Sequence, residues 1–426
     1  VDDGRVTDDA RGAAERAARH SYGRLVAVLA ASTGDLALAE DALADAFEAA
    51  LVRWPRDGVP GNPEGWLVTV ARNRQRDVWK SAAHRTSVAF DDGGSVDASA
   101  GGRGTRAAGA STSPTGSVRA LARDPFADLD PLAIPDRRLE LLAVCAHPAI
   151  DPAVRAPLML QAVLGFDAAQ IATAFAVPPA TMAQRLVRAK RRIRLAGIPF
   201  ETPDLRQLAD RVPALLEAVY ACASITWRDD EGSMAGEAQY LAVVLATLLD
   251  REPEAWALAA LVTLSLARRA PGAFVPLDEQ DPARWNQALL TEGETYLRRA
   301  SAHGGVPGRF QLEAAIQGVH ADRRRTGRTD WPALCALSTA LVAVAPSLGA
   351  RVALAAVVGR TDGAEAGLAA LPPAAEAEAF QPWWATRADL LHRAGRGAEA
   401  REAFVRAASM TDDAQVRAYL EARGRE

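Results

Sequence analysis

The chain has 426 residues, of which 49% are hydrophobic and 24% charged, with a net charge of −4. That balance excludes a disordered or fibrous chain, and the length calls for two or three domains rather than one core. Aromatics make up only 6% and alanine dominates, so an all-α fold is expected rather than sheets.

The first residues, VDDGRVTDDARG, are acidic and polar and lack the apolar core of a secretory leader. From about Ala14 to Arg85 the sequence reads as helices. Tyr22, Leu25, Val26 and Leu29 recur at helical spacing, and so do Leu36, Ala39, Leu43, Phe47 and Leu51. A Gly- and Pro-rich loop, RWPRDGVPGNP, follows. Asn62-Pro63-Glu64 then predicts a helix start, with Asn as cap, Pro in the first turn and Glu at the positive end. That helix is expected from about Glu64 through Lys80.

Thr86 to about Leu121 is Gly, Ser, Ala and Thr with few large apolar residues, and predicts a flexible linker. Order resumes near Pro135. Asp136 to Cys145, Pro152 to Leu164 and Asp167 to Ala196 read as a compact helical unit ended by Gly197-Ile198-Pro199. Beyond Asp204 helices dominate, with loops expected near 228–236, 271–282 and 304–308. Pro332 to Ala350 carries no charge, but Pro346, Ser338 and Gly349 predict a buried helix pair rather than a membrane span. Trp383 to Met410 has the spacing of one tetratricopeptide helix pair, with Ala388, Leu391, Gly395, Ala400 and Phe404 at its packing positions. An ordinary helical hairpin reads the same way.

Charge is unevenly distributed. Between Asp136 and Arg194 nine basic residues face four acids, so a basic module sits in an acidic protein. Within it, FDAAQIATAFAVPPATMAQRLVRAKRRIR (Phe166 to Arg194) has a helix-turn-helix pattern. Asp167 caps a short helix with Ile171, Ala172 and Phe175 inward. A turn at Val177-Pro178 precedes a helix whose core stripe is Met182, Leu186, Ala189 and Ile193. Thr181, Gln184, Arg185 and Arg188 then lie where base edges are read, and Lys190, Arg191 and Arg192 where phosphates are met. The competing reading is an amphipathic hairpin with a solvated arginine face. WLVTVARNRQRDVWKSAAHR (Trp66 to Arg85) interleaves Arg72, Arg74, Arg76, Lys80 and Arg85 with Trp66 and Trp79. Cations that track a backbone beside rings that stack on bases suit opened DNA, although the tryptophans serve equally well as core.

Other constellations point away from chemistry. Asp278, Glu279, Gln280 and Asp281 have no histidine nearby and are bracketed by Pro276 and Pro282, which reads as a capped loop. Six scattered histidines and an isolated Cys145-Ala146-His147 do not close a metal site. Cys145, Cys222 and Cys335 lie far apart, as in a reducing cytoplasm. Neither a phosphate loop nor a nucleophile elbow is present. No catalytic residue, cofactor or metal is expected, and the chain does not read as an enzyme.

GDLALAEDALADAFEAALVRW (Gly34 to Trp54) followed by NPEGWLVTVARNRQRDVWK (Asn62 to Lys80) resembles region 2 of extracytoplasmic-function (ECF) RNA polymerase sigma factors, and Phe166–Arg194 resembles their region 4. PLDEQDPARWNQALLTEG (Pro276 to Gly293) and GRFQLEAAIQGVHA (Gly308 to Ala321) are similar to the subgroup with a long C-terminal, tetratricopeptide-like helical extension. The resemblance implies a region 2 domain at 14–86, a linker at 87–131, a region 4 helix-turn-helix domain at 132–197 and a helical regulatory domain at 198–426. It implies binding to core RNA polymerase, on the β′ clamp helices and the β flap, with Glu40, Asp41, Asp45, Phe47 and Trp54 as clamp contacts. Asn62, Trp66, Arg72, Asn73, Arg76, Asp77 and Lys80 match the part that melts and reads the −10 element. Thr181, Gln184, Arg185, Arg188, Lys190 and Arg191 match the −35 reader. The C-terminal domain then modulates promoter-directed initiation in cis, with a protein partner of its own and no membrane. Ala44 stands where the family carries a polar Gln. A polymerase-independent helix-turn-helix regulator and a repeat-type scaffold remain as alternatives.

Overall fold

The structure, a computed structural model, describes residues 2–91, 137–175, 177–200, 208, 210–226, 233–269, 274–302 and 304–425. Every regular element among them is helical. The chain divides into two compact units, Val1–Cys222 and Ala223–Glu426.

The first unit begins with three helices, α1 (Asp2–Thr33), α2 (Leu36–Asp57) and α3 (Pro63–Asp91), packed on one another. Local chemistry sets their starts. Asp35 caps α2 by accepting from the Leu38 amide. Asn62 Oδ1 accepts from the Gly65 amide at 2.9 Å and Pro63 opens α3, as the sequence predicts. The inward stripe of α2 differs from the expected one. Leu36, Ala39, Leu43, Ala46, Ala50 and Trp54 are buried, whereas Leu51 is 51% exposed and Phe47 half-buried. Small alanines let α1 and α3 approach closely, so size was the wrong guide to the face. α3 also runs past Lys80 to Asp91, through the first residues assigned to the linker. The remainder of that expected linker, 92–131, lies outside the described residues.

Next come α4 (Arg138–Cys145), α5 (Pro152–Ala162), α6 (Ala168–Ala174), α7 (Pro179–Ala196) and α8 (Val212–Thr226). Asp167 caps α6 through a full capping box with Gln170. Met182, Leu186, Ala189 and Ile193 form the buried stripe of α7, and Gly197 stops it in the left-handed region at φ 59°. Arg211 Nη1 donates to the Ala143 carbonyl at 2.8 Å, tying the entry of α8 to α4. α1 meets the end of α5 with no clearance, because a Cβ on Gly23 would sit 1.8 Å from the Val163 carbonyl oxygen. On its other side α7 packs against both α5 and α2.

The second unit runs through α9 (Ser233–Leu248), α10 (Pro253–Ala267), α11 (Gln287–Ala302), α12 (Arg309–Ala321), the single turn α13 (Arg323–Thr326), α14 (Trp331–Val344), α15 (Leu348–Thr361), α16 (Ala364–Ala370), α17 (Gln381–Arg393), α18 (Gly397–Ser409) and α19 (Ala414–Arg423). Most pack mainly on a chain neighbour, whereas α12 packs chiefly on α10 and α14. α10 is buried around nearly its whole circumference, which makes it the centre of the first layers. α9 begins at Ser233, inside the expected 228–236 loop. Pro332–Ala350 forms α14 and the start of α15 with a break at 345–347, and no helix among the described residues is long and apolar enough to cross a membrane. Ala388, Leu391, Ala400 and Phe404 meet in one cluster between α17 and α18, with Gly395 at φ 74° in the turn.

Candidate nucleic-acid interface

Three helices of the first unit carry the predicted residues. On α3, Asn73 and Asp77 are exposed and Arg76 is half-buried, donating to Asn73 Oδ1 at 3.3 Å. Arg74 beside them pairs with Asp45 of α2 at 2.6 Å, with both side chains about half exposed. Arg72 is buried at 8% exposure. Trp66 is half-buried and meets Trp54 edge-on, with ring centroids 5.5 Å apart. Asn62 spends its side-chain oxygen on the cap of α3. The side chains of Trp79, Lys80 and Arg85 lie outside the described residues. α3 therefore offers a polar strip of Asn73, Arg74, Arg76 and Asp77, and nearer its start Trp66 packs on Trp54.

On α2, Asp41 and Asp45 are exposed and Phe47 is half-buried. Trp54, at 1% exposure, is core and holds Trp66 rather than facing outward. Sequence reasoning placed Leu51 in the inward stripe and passed over Val52, yet the two are 51% and 54% exposed at the C-terminal half of α2. Together with Asp41, Asp45 and Glu48 they give the helix an acidic and apolar outer face. The signal was in the sequence: large aliphatic side chains flanking an alanine stripe.

On α7, Gln184, Arg188 and Arg191 are exposed and Thr181 and Arg185 half-buried. Positions 181, 184, 188 and 191 are three or four residues apart and share a face opposite the buried stripe. Lys190 faces elsewhere. Its ammonium pairs with the Glu40 carboxylate of α2, and the two side chains are only 12% and 14% exposed. One turn along, Arg194 pairs with Asp35 at 3.2 Å. Glu40 Oε1 is buried without a partner. Burial pushes the Glu40 carboxyl above its ordinary value even though Lys190 pulls it down. Burial, and then the negative charge of Glu40 and Asp41, pushes the Tyr22 phenol up as well. The structure thus brings together one residue expected to touch polymerase and one expected to touch DNA, and it joins them to each other.

In the second unit the 276–281 loop is structural. Asp281 caps the turn at Pro282–Arg284, Gln280 accepts from the Trp285 indole at 3.1 Å, and Asp278 pairs with Arg360. Arg323 donates to the Leu277 and Gln280 carbonyls. An open groove of about 960 Å³ lies between α11, α12 and the start of α14, floored by Leu297, Val319 and Leu337 and edged by Arg298 and Arg328. Among the described residues no group of three His, Cys, Asp or Glu could hold a metal.

Residues 18–85 match the family model for sigma-70 region 2, which covers the second half of α1, all of α2 and most of α3. Residues 211–301 match a family of unknown function, DUF6596, from the start of α8 to the end of α11. An uncharacterized protein of Rhizobium meliloti (strain 1021) is 33% identical over 402 residues, spanning 91% of this chain and 89% of that protein. No solved structure matches. The chain therefore belongs to the same family as the Rhizobium protein, and it carries a sigma-70 region 2, a domain that points to sigma-factor-like promoter recognition.

Proposed function

We propose that this chain is an alternative sigma factor of the ECF type, which binds core RNA polymerase and directs initiation without covalent chemistry of its own. The match of α1–α3 to sigma-70 region 2 carries the reading. In it, the acidic and apolar face of α2, with Asp41, Asp45 and Phe47, docks on the clamp. Asn73, Arg76 and Asp77 read the opened −10 strand, with Trp66 held against it by Trp54; the remaining α3 residues, Asn62, Arg72 and Lys80, support or extend this strip. The 132–197 segment acts as region 4. Its α6–α7 pair is the helix-turn-helix, with Thr181, Gln184, Arg185 and Arg188 at −35 base edges and Lys190 and Arg191 at phosphates. The helical extension, tetratricopeptide-like in its α17–α18 pair, modulates this activity in cis, and the groove above α11 and α12 is its surface for a protein partner.

Run-off transcription on genomic promoter fragments, with core enzyme and with or without the chain, is the test. Protein-dependent start sites are expected, and a chain-free pattern identical to the complete reaction sinks the reading. Modulation in cis is tested by a truncation after Thr226, which keeps α8 and the Arg211–Ala143 contact. Transcription equal to that of the full chain removes the regulatory role.

A further inference from the structure

A cation inside a protein needs a counter-charge, because the interior returns little of the hydration that a guanidinium gives up. Two arginines of the second unit have none among the described residues. Arg268, just past the end of α10, is 5% exposed, and Arg323, on the turn α13, is 8% exposed. Their guanidinium carbons lie 6.0 and 5.5 Å from the centre of the buried Trp285 ring. Arg323 donates to neutral acceptors, the Leu277 and Gln280 carbonyls. Arg268 donates to the Gln317 side chain, and its Nε and Nη1 are buried without an acceptor. The Nδ1 of His320, in the last turn of α12, is buried in the same way. Asp278, whose charge reaches His320, is committed to Arg360. We propose that Arg268, Arg323, His320 and Trp285 form a binding site for a small inorganic anion, a halide or a phosphate-type oxyanion, which supplies the counter-charge.

The local charge is one-sided. Burial, and then the charge of Arg323, pushes the Arg268 guanidinium down from 12.5 to about 10, with no carboxylate acting in the other direction. Attraction to the Trp285 ring offsets part of the desolvation, but a ring carries no net charge and leaves the two N–H groups of Arg268 without acceptors. His320, neutral at pH 7 because its pKa falls to about 4, adds a third N–H in its Nδ1 tautomer. The donors are also held in place. The loop that carries Trp285 is fixed by the Asp281 cap, by the bond from the Trp285 indole to Gln280 and by Arg323. An approach lies along the same turn. A pocket of about 360 Å³ is lined there by Pro282, Ala283, Gln287, Arg324 and Arg325, none of them acidic.

The experiment follows thermal unfolding of the full chain at neutral pH and constant ionic strength, with sodium gluconate replaced stepwise by sodium chloride or sodium phosphate. Saturable stabilisation is expected, reaching about 4 °C once the anion exceeds its dissociation constant about tenfold. Phosphate also stabilises proteins by exclusion from their surface, but that effect neither saturates nor depends on Arg268. A response to chloride marks a halide-sized site, and a response to phosphate alone an oxyanion site. Arg268→Met removes the cation while keeping an unbranched side chain. It is expected to abolish the response and, in gluconate, to unfold at a higher temperature than the unchanged chain, because a lone buried charge is gone. Arg268→Lys keeps the cation and is expected to respond with lower affinity. Anomalous scattering from crystals soaked in bromide, or in selenate if phosphate alone responds, is expected to place the anion against the Arg268 guanidinium. The site is overturned if neither anion stabilises the chain saturably, if Arg268→Met responds like the unchanged chain, or if the soaked anion sits on exposed arginines as an adventitious ion only. None of these measurements involves polymerase or DNA, so the anion site and the sigma-factor reading stand or fall separately.

Discussion

Single side chains in the second unit do work that their spacing does not advertise. Glu254, near the start of α10, accepts from the Phe310 and Gln311 amides at 2.9 Å each and so caps α12 from another helix. Charged hydrogen bonds of this kind contribute about 1.5–3 kcal/mol. Glu254→Ala is expected to lower stability by about 2 kcal/mol in chemical denaturation. Gly308 explains itself by the same contact, since a Cβ there would lie 2.6 Å from Glu254 Cδ. Gly308→Ala is therefore expected to be harmful in the native chain and much less so when combined with Glu254→Ala. Additive losses in that double-mutant cycle would count against the cap. His320 offers a second test. Burial, and then Arg268 and Arg323, lower its pKa from 6.5 to about 4. The unfolded chain then binds a proton that the folded chain refuses, so stability is full above pH 6.5 and falls as pH drops toward 4. The slope is about 1.4 kcal/mol per pH unit at most, and His320→Asn is expected to remove that component from the pH profile of unfolding.

Elements show which parts of the fold a sequence can announce. The starts of α3 and α6 were legible because a cap and its amide are two or three residues apart, as with Asn62 and Gly65 or Asp167 and Gln170. The break at Pro346 and the stripe Met182, Leu186, Ala189 and Ile193 were legible for the same local reason. The face of α2 was misjudged at Leu51 because periodicity alone does not say whether alanine or leucine meets the neighbour. The crossing of α1 over α5 was not legible at all, since nothing near Gly23 refers to Val163. That crossing yields a strong expectation. Gly23→Ala must displace backbone, and the loss is expected to reach about 3 kcal/mol, with amide exchange accelerated in both α1 and α5. Unchanged exchange in α5 would mean that the two helices do not bear on each other.

At the scale of the molecule, two compact units of 222 and 204 residues each exceed the size at which a hydrophobic core sustains itself. Calorimetry of the full chain is expected to resolve two transitions, and the Thr226 truncation to retain one of them. A single cooperative transition would show that the units unfold together. Of the candidate site, the polar strip of α3 and the outer face of α7 were legible, because exposed Asn, Asp and Arg at helical spacing advertise themselves. The diversion of Lys190 and Glu40 to each other was not, because an ion pair across 150 residues leaves no mark in a local pattern. The loop at 276–281, acidic in sequence, proved to be held by carbonyls donated to by Arg323, an interaction that composition cannot suggest.

The chain's preference for arginine has a practical consequence. Its only lysines are Lys80 and Lys190, so an amine-acylating reagent meets just two side-chain targets. One of them has its ammonium shut inside the contact between α2 and α7, 12% exposed. The acylation rate of Lys190, read by peptide mass spectrometry against Lys80 in the same molecule, becomes a measure of how often its contact with Glu40 opens.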